Sequence, residues 1–261
     1  MGQRTKKEVK PRYEIVRTDT ITSDNGVKLY RIKNLQTKKR GGYIEAENNL
    51  PHDCEAWVHD NARIFGNAMV KESAQIHGIA QVFENAVVGG TATVSHEAWI
   101  FGSAQVVENA QISGHALICG KATIKGRSKI RGHARIAGNA VVSGNATVSG
   151  DAQISGGVKI TDNAQVYENA HIREKAEITG NAQVMGESEI SGNTVISENA
   201  RVFGTASIRD QAKMSGNSRA FGNAMVKGTT MLCDDTWVFG DAEVTEDTDI
   251  KGKKHLGQDN H

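Results

Sequence analysis

Histidine is the candidate for acid–base chemistry in this chain of 261 residues, and two of its nine histidines stand in step with two carboxylates. Glu97, His115, His133 and Asp151 follow one another at intervals of 18. A carboxylate beside an imidazole orients the ring and stabilises its cation, which suits a general base. The pairing works only in a fold that sets residues 18 apart side by side. The plain alternative is two surface histidines on a polar corner. His59 and His77 share the interval, whereas His171 stands alone. Two adjacent histidines could bind a metal, but no third ligand is obvious, and no metal site is expected. Cys54, Cys119 and Cys233 are odd in number and far apart. They suit neither a disulfide framework nor a CxxC site, and a reducing compartment is the simpler reading. The chain has no phosphate-binding loop, GxSxG elbow or dinucleotide fingerprint.

The interval of 18 comes from a repeat of six. From Ala56 to Thr248 every sixth residue is Ala, Ser or Thr, with Val158 the exception among 33 positions. Two residues later lies a second column, from Val58 to Ile250, in which 30 of 33 members are Val or Ile. Met214, Ala220 and Leu232 depart from it. Small-x-branched is a short strand with both named residues on one side, because strand side chains alternate. The following Gly, Asp or Glu and then Asn turn the chain. Three units close a triangular coil of 18 residues, and 33 units make 11 coils. At ~4.8 Å per coil the prism is on the order of 50 Å long. The expected fold is all-β, a triangular solenoid of parallel strands whose stability is shared across coils.

The pattern resembles the hexapeptide-repeat, left-handed parallel β-helix family over residues 55–252. The left hand is what the resemblance implies, since the usual crossover rule predicts right-handed connections. Unlike many members, this chain places Gly two residues after the branched position rather than directly after it. The run Tyr30-Arg31-Ile32, Gly41-Gly42-Tyr43-Ile44-Glu45, Asn49-Leu50 and Cys54-Glu55-Ala56-Trp57-Val58 resembles the lead-in of a YdcK-like subgroup found in bacteria, phages and prophages. Such proteins are often labelled acetyltransferases on fold alone. Residues 18–54 are expected to form a small N-terminal β cap with a turn at Asp24-Asn25-Gly26. Residues 1–17 are expected to be a basic solvated tail and 253–261 a polar C-terminal tail.

All six Phe residues occupy one phase of the repeat. Phe65, Phe83 and Phe101 form one ladder, with Trp99 and Leu117 beside it. Phe203, Phe221 and Phe239 form another, which Met185 and Tyr167 continue and Arg201, Arg219 and Trp237 flank. Such ladders can hold coils in register or bind neighbours, and a sugar-binding surface is a further alternative. Asn145, Asn163, Asn181, Asn199 and Asn217 read as an amide ladder.

Family enzymes use a His as general base toward a hydroxyl or amine, with the acyl donor between subunits. The resemblance thus implies a possible trimeric acyltransferase, acetyl-CoA as co-substrate, and His115, His133, Glu97 and Asp151 as its acid–base set. Those enzymes also interrupt the repeat with a pocket-building loop, which this chain lacks, and ligand sites are concave. The sequence therefore favours a non-catalytic rod without a cofactor, offering flat faces to copies of itself or to a protein partner. A homo-oligomer is expected, a closed trimer in preference to a filament. Net charge is +1, which argues against a nucleic-acid partner held by bulk charge. The absence of an apolar span or leader pattern suggests a cytoplasmic protein.

Overall fold

The computed structural model describes residues 10–245 and 248–257. Each repeat unit contributes a two-residue strand, beginning with Trp57–Val58 and Arg63–Ile64. The strands assemble into three sheets of 14, 12 and 11 strands, which form the three faces of a solenoid. Strands pair in parallel with the strand 18 residues on, as in Trp99↔Leu117 and Leu117↔Arg135. The first face carries Arg63, Gln81, Trp99, Leu117 and Arg135 outward. The second runs from Trp57 through Lys129 to His255, and the third from Met69 to Asp249.

The core follows from the two inward columns. From Ala56 to Val238 the Ala, Val and Ile members are essentially without exposed surface. Each buried branched residue contributes about 1.5–3 kcal/mol relative to exposure, set against about 1–2 kcal/mol of backbone entropy per ordered residue. Backbone hydrogen bonds run from coil to coil, such as Cys119 N–H to Ile136 O at 2.9 Å. A single coil therefore satisfies few of its own polar groups. At the C-terminal coil Ala242, Val244, Ile250 and Leu256 are only partly buried among the described residues.

A cap precedes the solenoid. β1 (Tyr13–Thr22) and β2 (Lys28–Asn34) form an antiparallel hairpin around the expected Asp24-Asn25-Gly26 turn. β2 pairs with β3 (Arg40–Ile44), and β3 runs parallel to Arg63–Ile64, so the cap extends the first face. Gly42 permits this approach, because a Cβ there would lie 2.5 Å from Ala62 O. Arg31 fastens the junction by donating to Gly41 O at 2.9 Å and Asp60 O at 2.8 Å, and its guanidinium lies 4.0 Å from the centre of the Tyr43 ring. Buried Asn49 accepts from Ala46 N–H at 2.9 Å and donates to Ala68 O at 2.8 Å. Tyr13, Ile32, Ile44 and Leu50 close the N-terminal end of the core.

Two boundaries differ from expectation. β1 begins at Tyr13, inside the segment read as tail, and Arg12 donates to Pro51 O and Ala56 O. Tyr13 is buried and apolar apart from its hydroxyl, which donates to Leu50 O at 2.6 Å, so this stretch belongs to the cap. Residues 1–9 of the expected tail lie outside the described residues. At the other end His255–Leu256 is one more strand, paired with Trp237–Val238. Lys254 occupies the small-residue position of that unit, which hid it from the pattern.

Candidate functional site

Glu97, His115, His133 and Asp151 each stand one residue before an inward Ala, at the corner leading onto the first face. The period brings them into one column. His115 Nδ1 lies 3.4 Å from a Glu97 carboxylate oxygen. The His115 and His133 rings stack with centroids 4.7 Å apart and planes 1° from parallel. Asp151 occupies the next coil but has no bond to His133 among the described residues. Glu97 and His115 side chains are each 52% exposed, and the corner is convex. The arrangement can orient an imidazole, but nothing around it excludes water.

The second histidine pair is more enclosed. His59 and His77 stack at 4.1 Å and 8°, and His59 Nε2 is 2.8 Å from Gln75 Oε1. Burial first, and then the neighbouring His59, push the His77 pKa below its ordinary value, with Asp60 opposing them. Among the described residues no group of three or more His, Cys, Asp or Glu is placed to hold a metal ion.

The two aromatic ladders are built alike but differ in cover. Phe65, Phe83 and Phe101 stack at 5.0 Å per step, and Phe83 meets Trp99 edge-on at 6.2 Å. Phe203, Phe221 and Phe239 stack at 4.8 and 5.3 Å, and Phe221 meets Trp237 edge-on at 6.4 Å. Of the two readings of the first ladder, binding neighbours needs exposed rings, and two of its rungs are buried. Phe65 and Phe83 are 5% and 8% exposed because Leu29 and Tyr43 of the cap pack on them, with Ile21 and Val27 alongside. Trp99 remains exposed at 38%, and Phe101 and Leu117 are half-buried. The second ladder keeps all three rings half-buried. Tyr167 and Met185 extend it, with the Tyr167 hydroxyl 2.9 Å from Met185 Sδ. Arg219 lies 4.6 Å from the centre of the Trp237 ring, His255 stacks on Trp237's other side at 4.5 Å, and Arg201 is exposed.

A groove of about 750 Å³ lies where the cap meets the first coils, lined by Glu45, Glu47, His52, Asp53 and Met69 among others. Two of its polar groups serve the fold. Glu45 accepts Gly66 N–H at 2.7 Å, and His52 Nδ1 accepts Arg12 N–H at 3.2 Å while its ring packs on Tyr13.

Sequence reasoning missed one feature. Between Glu108 and Asp151 the chain has no acid but six cations, Lys121, Lys125, Arg127, Lys129, Arg131 and Arg135. The signal was their spacing by two or four, which in this repeat points every one outward. A whole-chain balance of +1 conceals it.

The YdcK beta solenoid repeat pattern matches residues 62–78 and 140–156. No curated protein matches the chain. Among solved structures it is similar to a UDP-N-acetylglucosamine acyltransferase from Campylobacter jejuni, at 14% identity and a TM-score of 0.29, over 76% of this chain and 69% of that one. An Arabidopsis UDP-N-acetylglucosamine acyltransferase matches at 11% identity and a TM-score of 0.29, over 78% of this chain and 70% of that one. Likenesses this distant carry no argument about activity. No helix among the described residues is long and apolar enough to cross a membrane.

Proposed function

We propose that this chain is a non-catalytic rod that binds copies of itself through the ridge Tyr167, Met185, Phe203, Phe221 and Phe239. One observation carries the reading. The chain builds two matching Phe ladders, covers Phe65 and Phe83 of the first with its cap and leaves all three rungs of the second half open. Stacked rings in register need no partner to form, but their outer edges gain from apolar cover. Arg201, Arg219 and Trp237 beside the ridge have the composition of an interface core. A closed trimer buries three such ridges equivalently. Light scattering after size exclusion tests the proposal. The expected result is a trimer that Phe221→Glu converts to monomer while the melting temperature stays high. A wild-type monomer, or an oligomer that Phe221→Glu leaves intact, overturns it.

A second reading rests on the 3.4 Å Glu97–His115 pair. A trimer using acetyl-CoA would place a neighbouring subunit over this corner and so exclude water from the imidazole. Turnover of acetyl-CoA with a small hydroxyl or amine acceptor, abolished by His115→Ala, supports it. No turnover at saturating acetyl-CoA rejects it.

A further inference from the structure

The cations that sequence reasoning missed form a collar. Lys125, Arg127, Lys129, Arg131, His133 and Arg135 take six successive outward positions of one coil. Lys125 and Arg127 sit at the corner between the third and second faces, and Lys129 lies on the second face. Arg131 and His133 follow at the next corner, and Arg135 lies on the first face. All are exposed except Lys129, which is half-buried. Neighbours in the collar are two residues apart, or roughly 6–7 Å along extended chain.

The protein neutralises the collar only in part, through Glu108, which accepts the N–H of Gly126 between Lys125 and Arg127 at 2.9 Å. Among the described residues none of its five Lys and Arg side chains makes an ion pair or side-chain hydrogen bond. Elsewhere the same surface pairs its charges, as in Arg173–Glu189 at 2.9 Å and Lys227–Glu243. The coils on either side carry few charges: Glu108 and Asp151 flank the collar, and Asn109, Gln111, Ser113, Asn145, Thr147 and Ser149 are its other outward neighbours. Asn109, Gln111 and Asn145 join Arg127 and Lys129 around a hollow of about 360 Å³.

We infer that the collar binds the phosphate backbone of a single-stranded nucleic acid that crosses the rod. Guanidinium groups hold phosphate oxygens bidentately, ammonium groups act as point charges, and amides and hydroxyls supply the further donors such backbones use. Flexibility decides between single strand and duplex. The cations turn two corners within one coil, and a duplex with a persistence length of about 50 nm cannot follow them. An acidic polypeptide is less suited, because the second-face part of the collar offers no apolar anchor. This site shares no residue with the aromatic ridge, which begins at Tyr167, two coils after Arg131 in the same column.

Fluorescence anisotropy of a labelled 20-nucleotide oligothymidine, titrated with the full chain at several salt concentrations, is the test. Each phosphate neutralised contributes about −0.7 to the slope of log affinity against log salt. Five or six contacts give a slope near −4, so a fourfold rise in salt lowers affinity by roughly two orders of magnitude. The triple variant K125Q/R127Q/K129Q should flatten the slope by about 2. The variant K159Q/K175Q/K213Q removes equal charge elsewhere and should leave the slope unchanged. A chain lacking residues 1–9 should keep most of the binding. All the substituted side chains point outward, and an unchanged melting temperature checks the fold. Absence of binding at the lowest salt overturns the proposal, as does equal loss in the two triple variants or loss confined to the terminal deletion. A 20-base-pair duplex that binds as tightly overturns the wrapped single strand. Polyglutamate that displaces the oligonucleotide at lower concentration would assign the collar to acidic polypeptides instead.

Discussion

Within each coil the tightest constraint is at single inward positions, and three of these are imperfect. Ser188, Thr194 and Ser218 occupy the small-residue column, and their hydroxyls are buried without a partner. Ser128, in the same column, donates to Lys125 O at 2.8 Å. A buried polar group left unsatisfied costs about 1–3 kcal/mol. Ser188→Ala and Ser218→Ala should therefore each raise stability by about 1 kcal/mol, read as a higher urea midpoint with an unchanged slope. Ser128→Ala should not. Titration acts at the same scale. Because burial and His59 lower the His77 pKa in the folded chain, the unfolded chain takes up this proton first as pH falls. The contribution of His77 is full above the ordinary histidine value of 6.5 and declines as pH drops toward the lowered folded value. Urea unfolding at pH 7.5 and 5.5 should show a smaller difference in His77→Gln than in the parent chain.

The corner is the element that keeps successive coils close. Asp162 has φ 57°, and its carboxylate accepts Gly180 N–H at 3.1 Å and the Thr179 hydroxyl at 2.6 Å in the next coil. These bonds hold the Asp162 pKa below the usual carboxylate range. The same link joins Glu84 to Gly102 and Glu108 to Gly126. One coil earlier, Gly144 has φ 71°, and a Cβ there would lie 2.7 Å from Asp162 N. Gly144→Ala should cost more than the roughly 1–2 kcal/mol of a left-handed L-residue, because it also wedges two coils apart. Gly157→Ala is the control, since its Cβ would meet only Glu174 O at 3.6 Å, and its melting temperature should stay level or rise. Corners, strands and pairing were legible in the sequence because 18-residue periodicity converts directly into contact. The cap and its turn were legible too, but its cover of Phe65 and Phe83 was not, because Ile21, Val27, Leu29 and Tyr43 reach those rings through packing that no period encodes. The histidine column was legible as an alignment, but its exposure depends on which face or corner it occupies. The collar was written in residues 125–135, yet counting charge over the whole chain averaged it away.

For the molecule as a whole, the cap does two things that the solenoid cannot do for itself. It plugs the apolar end of the prism with Tyr13, Ile32, Ile44 and Leu50, and it occupies the edge of the first face by pairing β3 with Arg63–Ile64. It also covers Phe65 and Phe83. Removing it uncovers an apolar core end, an unpaired parallel edge and an aromatic ladder at once, and uncovered strand edges are templates for another chain. The remaining coils bury the same columns and hydrogen-bond to one another as before, and solenoid stability is close to a sum over neighbours. The truncated rod should therefore fold, but associate. Deleting residues 1–54 should turn a single sharp species into a concentration-dependent series of larger ones in light scattering, with the strand signal in circular dichroism retained. Restoring cover on the ladder alone, by adding Phe65→Ser and Phe83→Ser to the deletion, separates the two causes. If the series persists in that variant, the exposed edge and core end drive growth. If it collapses to one species, the ladder does. A deletion that keeps the parent's solution mass would show that the cap is not what limits growth at this end.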